Sequence, residues 1–279
     1  MIETLTATEK HAAYCRDGFF IHDRPAVPPE LIRRAVEGMD EIREGRYDAG
    51  RPSCESPWNP GDDPNRLCKI ENPQFANRAI YELVSHPELG RLAAEIAGAS
   101  WVHVWWVQLL YKPKISASVK PVVGWHQDRT YWGPWTPDSD LFTIWVALSD
   151  VGPESGPMRF VPGSHKWGLQ SESDFFGEDL EGQAQRMRDG REWKEVPAVL
   201  PAGGFSIHHC ETLHASGPNF EDAPRRSLAI HARSEKSRPV GDLRAGLTEF
   251  IDHEWACPVI SVIPRERQRL RDPESLSQS

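Results

Sequence analysis

Four consecutive residues, Trp125-His126-Gln127-Asp128, and two far downstream, His214 and Arg225, carry the most legible chemistry in this chain. Two imidazoles and one carboxylate are the ligand set that grips non-haem Fe(II) from one side and leaves the remaining positions open for O2 and a co-substrate. His126 and Asp128 are two residues apart, so on an extended strand both side chains leave the same face and can reach one metal. The third ligand, His214, has to be delivered by the fold. Arg225 follows it by eleven residues, within Pro224-Arg225-Arg226-Ser227-Leu228-Ala229-Ile230. If that stretch is a strand, Arg225, Ser227, Ala229 and His231 share an interior face, and Arg226 points outward as a surface charge.

A His-x-Asp pair alone is weak, because such pairs often sit on surfaces doing nothing more than hydrogen bonding. Here it is flanked by Gly124 and by Arg129-Thr130-Tyr131-Trp132-Gly133. It is followed by Gly156-Pro157-Met158-Arg159-Phe160-Val161-Pro162-Gly163-Ser164-His165 and by His214-Ala215-Ser216-Gly217-Pro218-Asn219. With Trp-His-Gln-Asp, Pro-Gly-Ser-His, His-x-Ser-Gly-x-Asn and the arginine eleven residues past the distal histidine, residues 101–232 resemble the phytanoyl-CoA dioxygenase family of Fe(II)/2-oxoglutarate oxygenases.

That resemblance implies a double-stranded β-helix, the jelly-roll or cupin-like core, and an enzyme using Fe(II), 2-oxoglutarate and O2. It makes His126, Asp128 and His214 the metal ligands and catalytic centre. It makes Arg225, assisted by Ser216, the clamp for the far carboxylate of 2-oxoglutarate, a task suited to a planar bidentate guanidinium. Trp145 and Gln108 stand where relatives place residues beside the co-substrate. Because Asp128 is present, the site resembles hydroxylases and not the halogenating relatives, which have a small residue there. Oxidation of 2-oxoglutarate to succinate and CO2 would be coupled to attack on an unactivated C–H bond.

Other residues compete for these roles. His208 shares strand parity with His214, and His209 is adjacent, but only His214 has Ser216, Gly217, Asn219 and Arg225 at the family spacing. His165 reads as structural, and Cys210 as a small buried hydrophobe. Arg129, Tyr131 and Trp132 are expected to face a substrate, with Trp135, Trp58 and Arg66 as further possibilities. Aromatic faces near acidic residues suit a small cationic or zwitterionic molecule, such as an amine, an aminophosphonate or a natural-product intermediate. A cupin-like metal binder or isomerase without oxygenase activity is the main alternative, and it would not need Arg225 with Ser216. A zinc hydrolase lacks its His-Glu-x-x-His helix.

The elements that must position these residues follow from periodicity. Apolar residues at helical spacing mark one helix after Pro28-Pro29 (Leu31, Ile32, Ala35, Val36, Met39, Ile42) and another from Ser85 to a stop at Gly98. Residues 48–64 read as a long loop. Short strands are expected at 101–112, 122–127, 141–148, 158–161, 195–200, 204–209 and 226–232, the pattern of an all-β sandwich or barrel. Residues 171–192 form an acidic, Gly-containing interruption, either a solvated loop or a lid. The chain thus reads as a single domain: a helical part over about 1–100, a jelly-roll core over about 101–235 and an extension over 236–279, whose charged, Ser-rich end from 264 is expected to fray.

Composition bounds the rest. At 279 residues with net charge −9, the chain has material for a sizeable core and lacks the basic character that selects nucleic acid. The same charge, with no basic stripe for coenzyme A phosphates, argues against an acyl-CoA. No run is apolar enough to span a membrane, and the first residues lack the regions of a signal peptide. Five scattered cysteines without a Cys-x-x-Cys pair fit reduced thiols. These readings point to a cytoplasmic protein acting on a small molecule, without nucleic-acid or membrane partners; oligomeric state is not legible. Of eleven tryptophans, those at 101, 105, 106, 125, 132, 135 and 145 cluster around the metal motif and read mainly as core filling.

Overall fold

The computed structural model describes residues 5–242 and 244–262, so the tail from 264 lies outside the described residues. In chain order come α1 (Ala7–Asp17), β1 (Phe19–His22), α2 (Pro29–Arg43), β2 (Cys68–Glu71), α3 (Arg78–Val84), α4 (Pro87–Ala97), β3 (Trp101–Lys112), β4 (Val123–His126), β5 (Leu141–Ala147) and β6 (Met158–Phe160). They are followed by α5 (Leu180–Arg188), β7 (Val196–Pro197), β8 (Phe205–His209), β9 (His214–Ser216), β10 (Arg225–Arg233) and β11 (Val259–Val262). Two antiparallel sheets face each other as a jelly-roll core. The larger has order β1-β8-β5-β10-β3-β11, with β2 also on β3; the smaller has order β4-β9-β6-β7.

The large sheet is covered on both faces, which is why β5, Leu-Phe-Thr-Ile-Trp-Val-Ala, is buried at every residue. Its outer side chains Phe142, Ile144 and Val146 join Leu228, Ile230 and Ala232 of β10 and Val107 and Leu109 of β3 in one apolar cluster. Three helices close that cluster through Leu31, Ile32, Ala35, Met39 and Ile42 of α2, Ile80 and Leu83 of α3, and Leu89, Leu92 and Ile96 of α4. The alternate residues of the same strands point between the two sheets. Position along a strand therefore decides whether a side chain supports the fold or faces the interior.

Each expected strand overlaps an observed one, but the N-terminal third is not purely helical. β1 extends the large sheet by pairing with β8, and β2 pairs with β3. The helix α1 was also unanticipated, although Thr6 and Glu9 form a reciprocal capping box at its start. Residues 171–192 are not a simple loop, since α5 forms there with Asp179 capping it through the Gly182 amide. Among the described residues, no helix is long and apolar enough to cross a membrane.

Candidate active site

The two sheets enclose a cavity of about 290 Å3 whose lining includes His126, Asp128, His214, Trp145, Gln108, Ser216, Arg225, Tyr131 and Trp132. His126 ends β4 and His214 opens β9, and these strands pair so that the two histidines stand opposite each other. Their rings lie 4.1 Å apart. Each Nδ1 faces a main-chain carbonyl two residues back, Gly124 at 2.8 Å and Thr212 at 2.9 Å. A carbonyl only accepts, so each Nδ1 carries the proton and each Nε2 lone pair is left for a metal. Both Nε2 atoms are 3.7 Å from the same oxygen, Oδ1 of Asp128. Among the described residues these three side chains are the group able to hold an ion together.

Electrostatics suits the same chemistry. Burial opposes charge on all three residues and lowers the pKa of both imidazoles, most strongly that of His214. Burial alone would raise the carboxyl of Asp128, but the neighbouring His214 and His208 override it and hold it well below the usual carboxylate range. Neutral imidazoles and an ionised carboxylate are the forms in which these groups ligate metals. The other carboxylate oxygen, Oδ2, is 2.7 Å from the Thr143 hydroxyl and 3.3 Å from His208 Nε2.

Arg225 lies deep in the interior at the foot of β10, 1% exposed. Its Nη1 donates to the Gly156 carbonyl at 2.6 Å and to Ser216 Oγ at 3.3 Å, and its carbon centre sits 5.1 Å over the Trp145 ring. Among the described residues no carboxylate pairs with it, and its Nε has no partner. Burial accordingly lowers its pKa. A second buried cation, Lys112, donates to the carbonyls of Ser216 (3.1 Å) and Gly217 (2.6 Å) and to Ser216 Oγ, fixing that hydroxyl beside Arg225.

The structure distributes the expected substrate residues unequally. Tyr131 and Trp132 line the cavity, but Arg129 does not: its guanidinium is used by the carbonyls of Trp132 (3.0 Å) and Trp135 (2.9 Å), closing the turn after the metal motif. Trp135 packs with Trp105 and Trp132, while Trp58 is in the outer core. Arg66 lies outside the cavity wall. His165 braces a turn through the Cys15 carbonyl at 3.3 Å.

Several lining residues were not anticipated. Lys69 and Glu71 come from β2, where Cys68 and Ile70 alternate with them into the outer core. Glu71 accepts from Lys69 (3.2 Å), from Trp106 Nε1 (2.5 Å) and from Gln108 (3.4 Å), so it organises one wall. The alternation Cys-Lys-Ile-Glu was a strand signal, too short to separate from the preceding loop. Phe175 and Phe176, from the segment between Gly168 and α5, also line the cavity, together with Glu55. That segment runs along β4: Gly124 donates to the Phe175 carbonyl at 2.9 Å, and the Phe175 amide donates to the Tyr131 hydroxyl at 2.8 Å. Gly124 permits the approach, because a Cβ there would lie 2.2 Å from the Asp174 carbonyl oxygen.

Comparison with known proteins gives a consistent picture. The family model described as phytanoyl-CoA dioxygenase matches residues 14–227. A curated relative from Stutzerimonas stutzeri, named probable alpha-ketoglutarate-dependent hypophosphite dioxygenase, is 29% identical over 173 residues, covering 61% of this chain and 58% of that protein. Phytanoyl-CoA dioxygenase domain-containing protein 1 of Danio rerio is 28% identical over 177 residues, covering 59% of this chain and 56% of that protein. The chain thus aligns with little more than half the length of these relatives. Among solved structures, the epimerase SnoN in complex with Fe3+, alpha ketoglutarate and nogalamycin RO superposes with a TM-score of 0.66 at 24% identity, over 84% of this chain and 86% of that one. At that identity the likeness speaks for the fold.

Proposed function

The chain belongs to the phytanoyl-CoA dioxygenase family, and from that premise we propose that it is an Fe(II)/2-oxoglutarate-dependent oxygenase that hydroxylates an unactivated C–H bond of a small polar molecule. One observation carries the reading: a two-histidine, one-carboxylate ligand set and a buried guanidinium without a carboxylate partner line the same cavity. A metal-binding barrel without oxygenase chemistry has no use for the second part.

The donor set fits Fe(II), which Nε2 of His126 and His214 and Oδ1 of Asp128 would hold. When bound, the iron supplies O2 activation coupled to oxidation of 2-oxoglutarate to succinate and CO2. The chain's own residues do the rest. Arg225 and Ser216 receive the far carboxylate, with Trp145 under the guanidinium. Lys69 adds a second cation to a cavity whose co-substrate carries two carboxylates. Tyr131, Trp132, Phe175 and Phe176 shield the centre from water.

The cavity volume is at the small end for ligand sites and favours a small substrate over a long acyl chain. Its rings (Trp106, Tyr131, Phe175, Phe176) and the rim carboxylate Glu55 suit a cationic or zwitterionic amine. A phosphonate is the neighbouring possibility, in keeping with a relative named for hypophosphite.

The test is succinate formation from 2-oxoglutarate with Fe(II) and ascorbate across amines, phosphonates and acyl compounds. The expected result is substrate-stimulated succinate that vanishes in His126→Ala and needs much more 2-oxoglutarate in Arg225→Ala. Protein that binds iron but neither binds nor consumes 2-oxoglutarate would return the chain to the cupin-like binders. Equal competition by cationic and neutral analogues would end the amine assignment.

A further inference from the structure

His208, the rival distal ligand by parity, has a different place in the fold. It stands directly opposite Thr143, and Thr143 stands directly opposite His231, so the three form one row across β8, β5 and β10. Phe19 of β1 and Trp106 of β3 close the row at its ends. All three polar members are at most 4% exposed, and all line the cavity.

The row converges on the side of Asp128 that faces away from the two ligand imidazoles. Thr143 Oγ1 is 2.7 Å and His208 Nε2 is 3.3 Å from Oδ2, whereas both ligand Nε2 atoms are nearest Oδ1. An ionised carboxylate only accepts, so the single Thr143 hydroxyl proton goes to Oδ2. The hydroxyl oxygen must then accept from its other neighbour, His231 Nδ1, at 2.9 Å. Proton directions are therefore fixed along the relay His231 to Thr143 to Asp128, with His208 donating from the opposite side. The His208 ring also packs against the His214 ring, with centroids 4.3 Å apart and planes tilted by 48°.

A free carboxylate can grip a metal through one oxygen or both. If Oδ2 swung toward the ion, it would occupy a position that the co-substrate or O2 needs. We propose that His208 and Thr143, the latter oriented by His231, are positioning residues that tether Oδ2 of Asp128 and so present Oδ1 alone to the metal. The inference rests on the proposed metal site and assigns these side chains a role in the geometry of Fe(II) binding. None of them is a ligand.

The measurement is anaerobic Fe(II) titration of the metal-free protein, with and without 2-oxoglutarate, followed by the visible absorption of the chelate, alongside thermal unfolding of the same metal-free samples. Thr143→Val and His208→Leu each weaken Fe(II) binding on the order of tenfold or more, the scale seen when a partner that orients a ligand is lost. Thr143→Ser and His208→Gln, which keep a donor near the same point, retain most of the affinity. The ratio of succinate formed to substrate oxidised rises in the first pair and not in the second.

The proposal is overturned if folded Thr143→Val or His208→Leu binds Fe(II) within twofold of the parent, or if the donor-keeping variants lose as much as the apolar ones. Should one apolar variant not fold, the other decides. Failure of the parent protein itself to bind Fe(II) would instead remove the functional reading.

Discussion

The two faces of the large sheet are built from the same strands and obey opposite rules. On the outer face, Phe142, Ile144, Val146, Leu228, Ile230 and Ala232 are all completely buried hydrocarbon against helices α2 to α4. On the inner face, their sequence neighbours Thr143, Trp145, Arg225, Ser227 and His231 are equally buried, yet most are polar and some lack partners. The outer face gains free energy on folding by removing apolar area from water. The inner face gives some of it back, since buried polar groups are costly unless satisfied. On the proposed function, the counterpart of the buried Arg225 cation is the co-substrate carboxylate, and the helical layer supplies the stability that offsets its burial.

Substitutions can break this division. The largest effect is expected for Asp128→Asn, which should reduce substrate-dependent succinate formation by more than about a hundredfold, beyond the loss of a partner that merely orients a ligand. Thermal unfolding of that metal-free variant should stay near the parent; a collapse would mean that the inner face also carries stability. Conversely, Leu228→Ala should cost about 2–5 kcal/mol in a denaturant titration, through lost burial and a residual cavity. Its Fe(II) affinity should be unchanged while it remains folded.

The inner face should also carry the acid lability. Burial, then Arg233, depresses His103 from 6.5 to about 4, and the neutral ring holds the Cys257 carbonyl at 2.7 Å. Between those values the unfolded chain binds the extra proton, so stability is complete above pH about 6.5 and falls as pH drops toward 4. The loss is at most about 3 kcal/mol for this group. Urea midpoints across that range should show the slope, and His103→Gln should flatten it.

Arg225→Lys keeps a charge but loses the planar fork. Its KM for 2-oxoglutarate should rise roughly ten- to a hundredfold, the value of a charge-assisted hydrogen bond. The smallest effect belongs to the helical periphery. Thr6→Ala, which removes the α1 cap, should cost about 1 kcal/mol and leave iron binding and KM untouched.

What was legible followed from local spacing. The alternation through Arg225, Ser227 and His231 put chemistry on one strand face with no knowledge of partners. The shared strand face expected for His126 and Asp128 is not what forms: β4 ends at His126, and Asp128 opens the 3-10 turn that follows. Strand β3 shows where that logic stops. Val102 and Val104 face the outer core, then Val107 and Leu109 do, because a bulge where His231 and Ala232 of β10 meet Trp106 and Val104 shifts the parity near Trp105. The run Val-His-Val-Trp-Trp-Val carries no mark of it, since a bulge is defined by the strand opposite. Lys69, Glu71, Phe175 and Phe176 were missed for a related reason: their cavity positions depend on what lies across a sheet or against β4.

By itself, the sequence determined which residue types could bind a metal and an anion, and which residues of one strand share a face, because backbone geometry fixes a period of two. Only the tertiary structure decided which histidine joins His126 and Asp128 in the candidate metal site. His214 and His208 share that parity, but the pairing of β9 with β4 brings the first to His126, while the pairing of β8 with β5 brings the second to Thr143 and the far oxygen of Asp128. Such long-range registers are set by the burial of whole sheets, which no short stretch of sequence encodes.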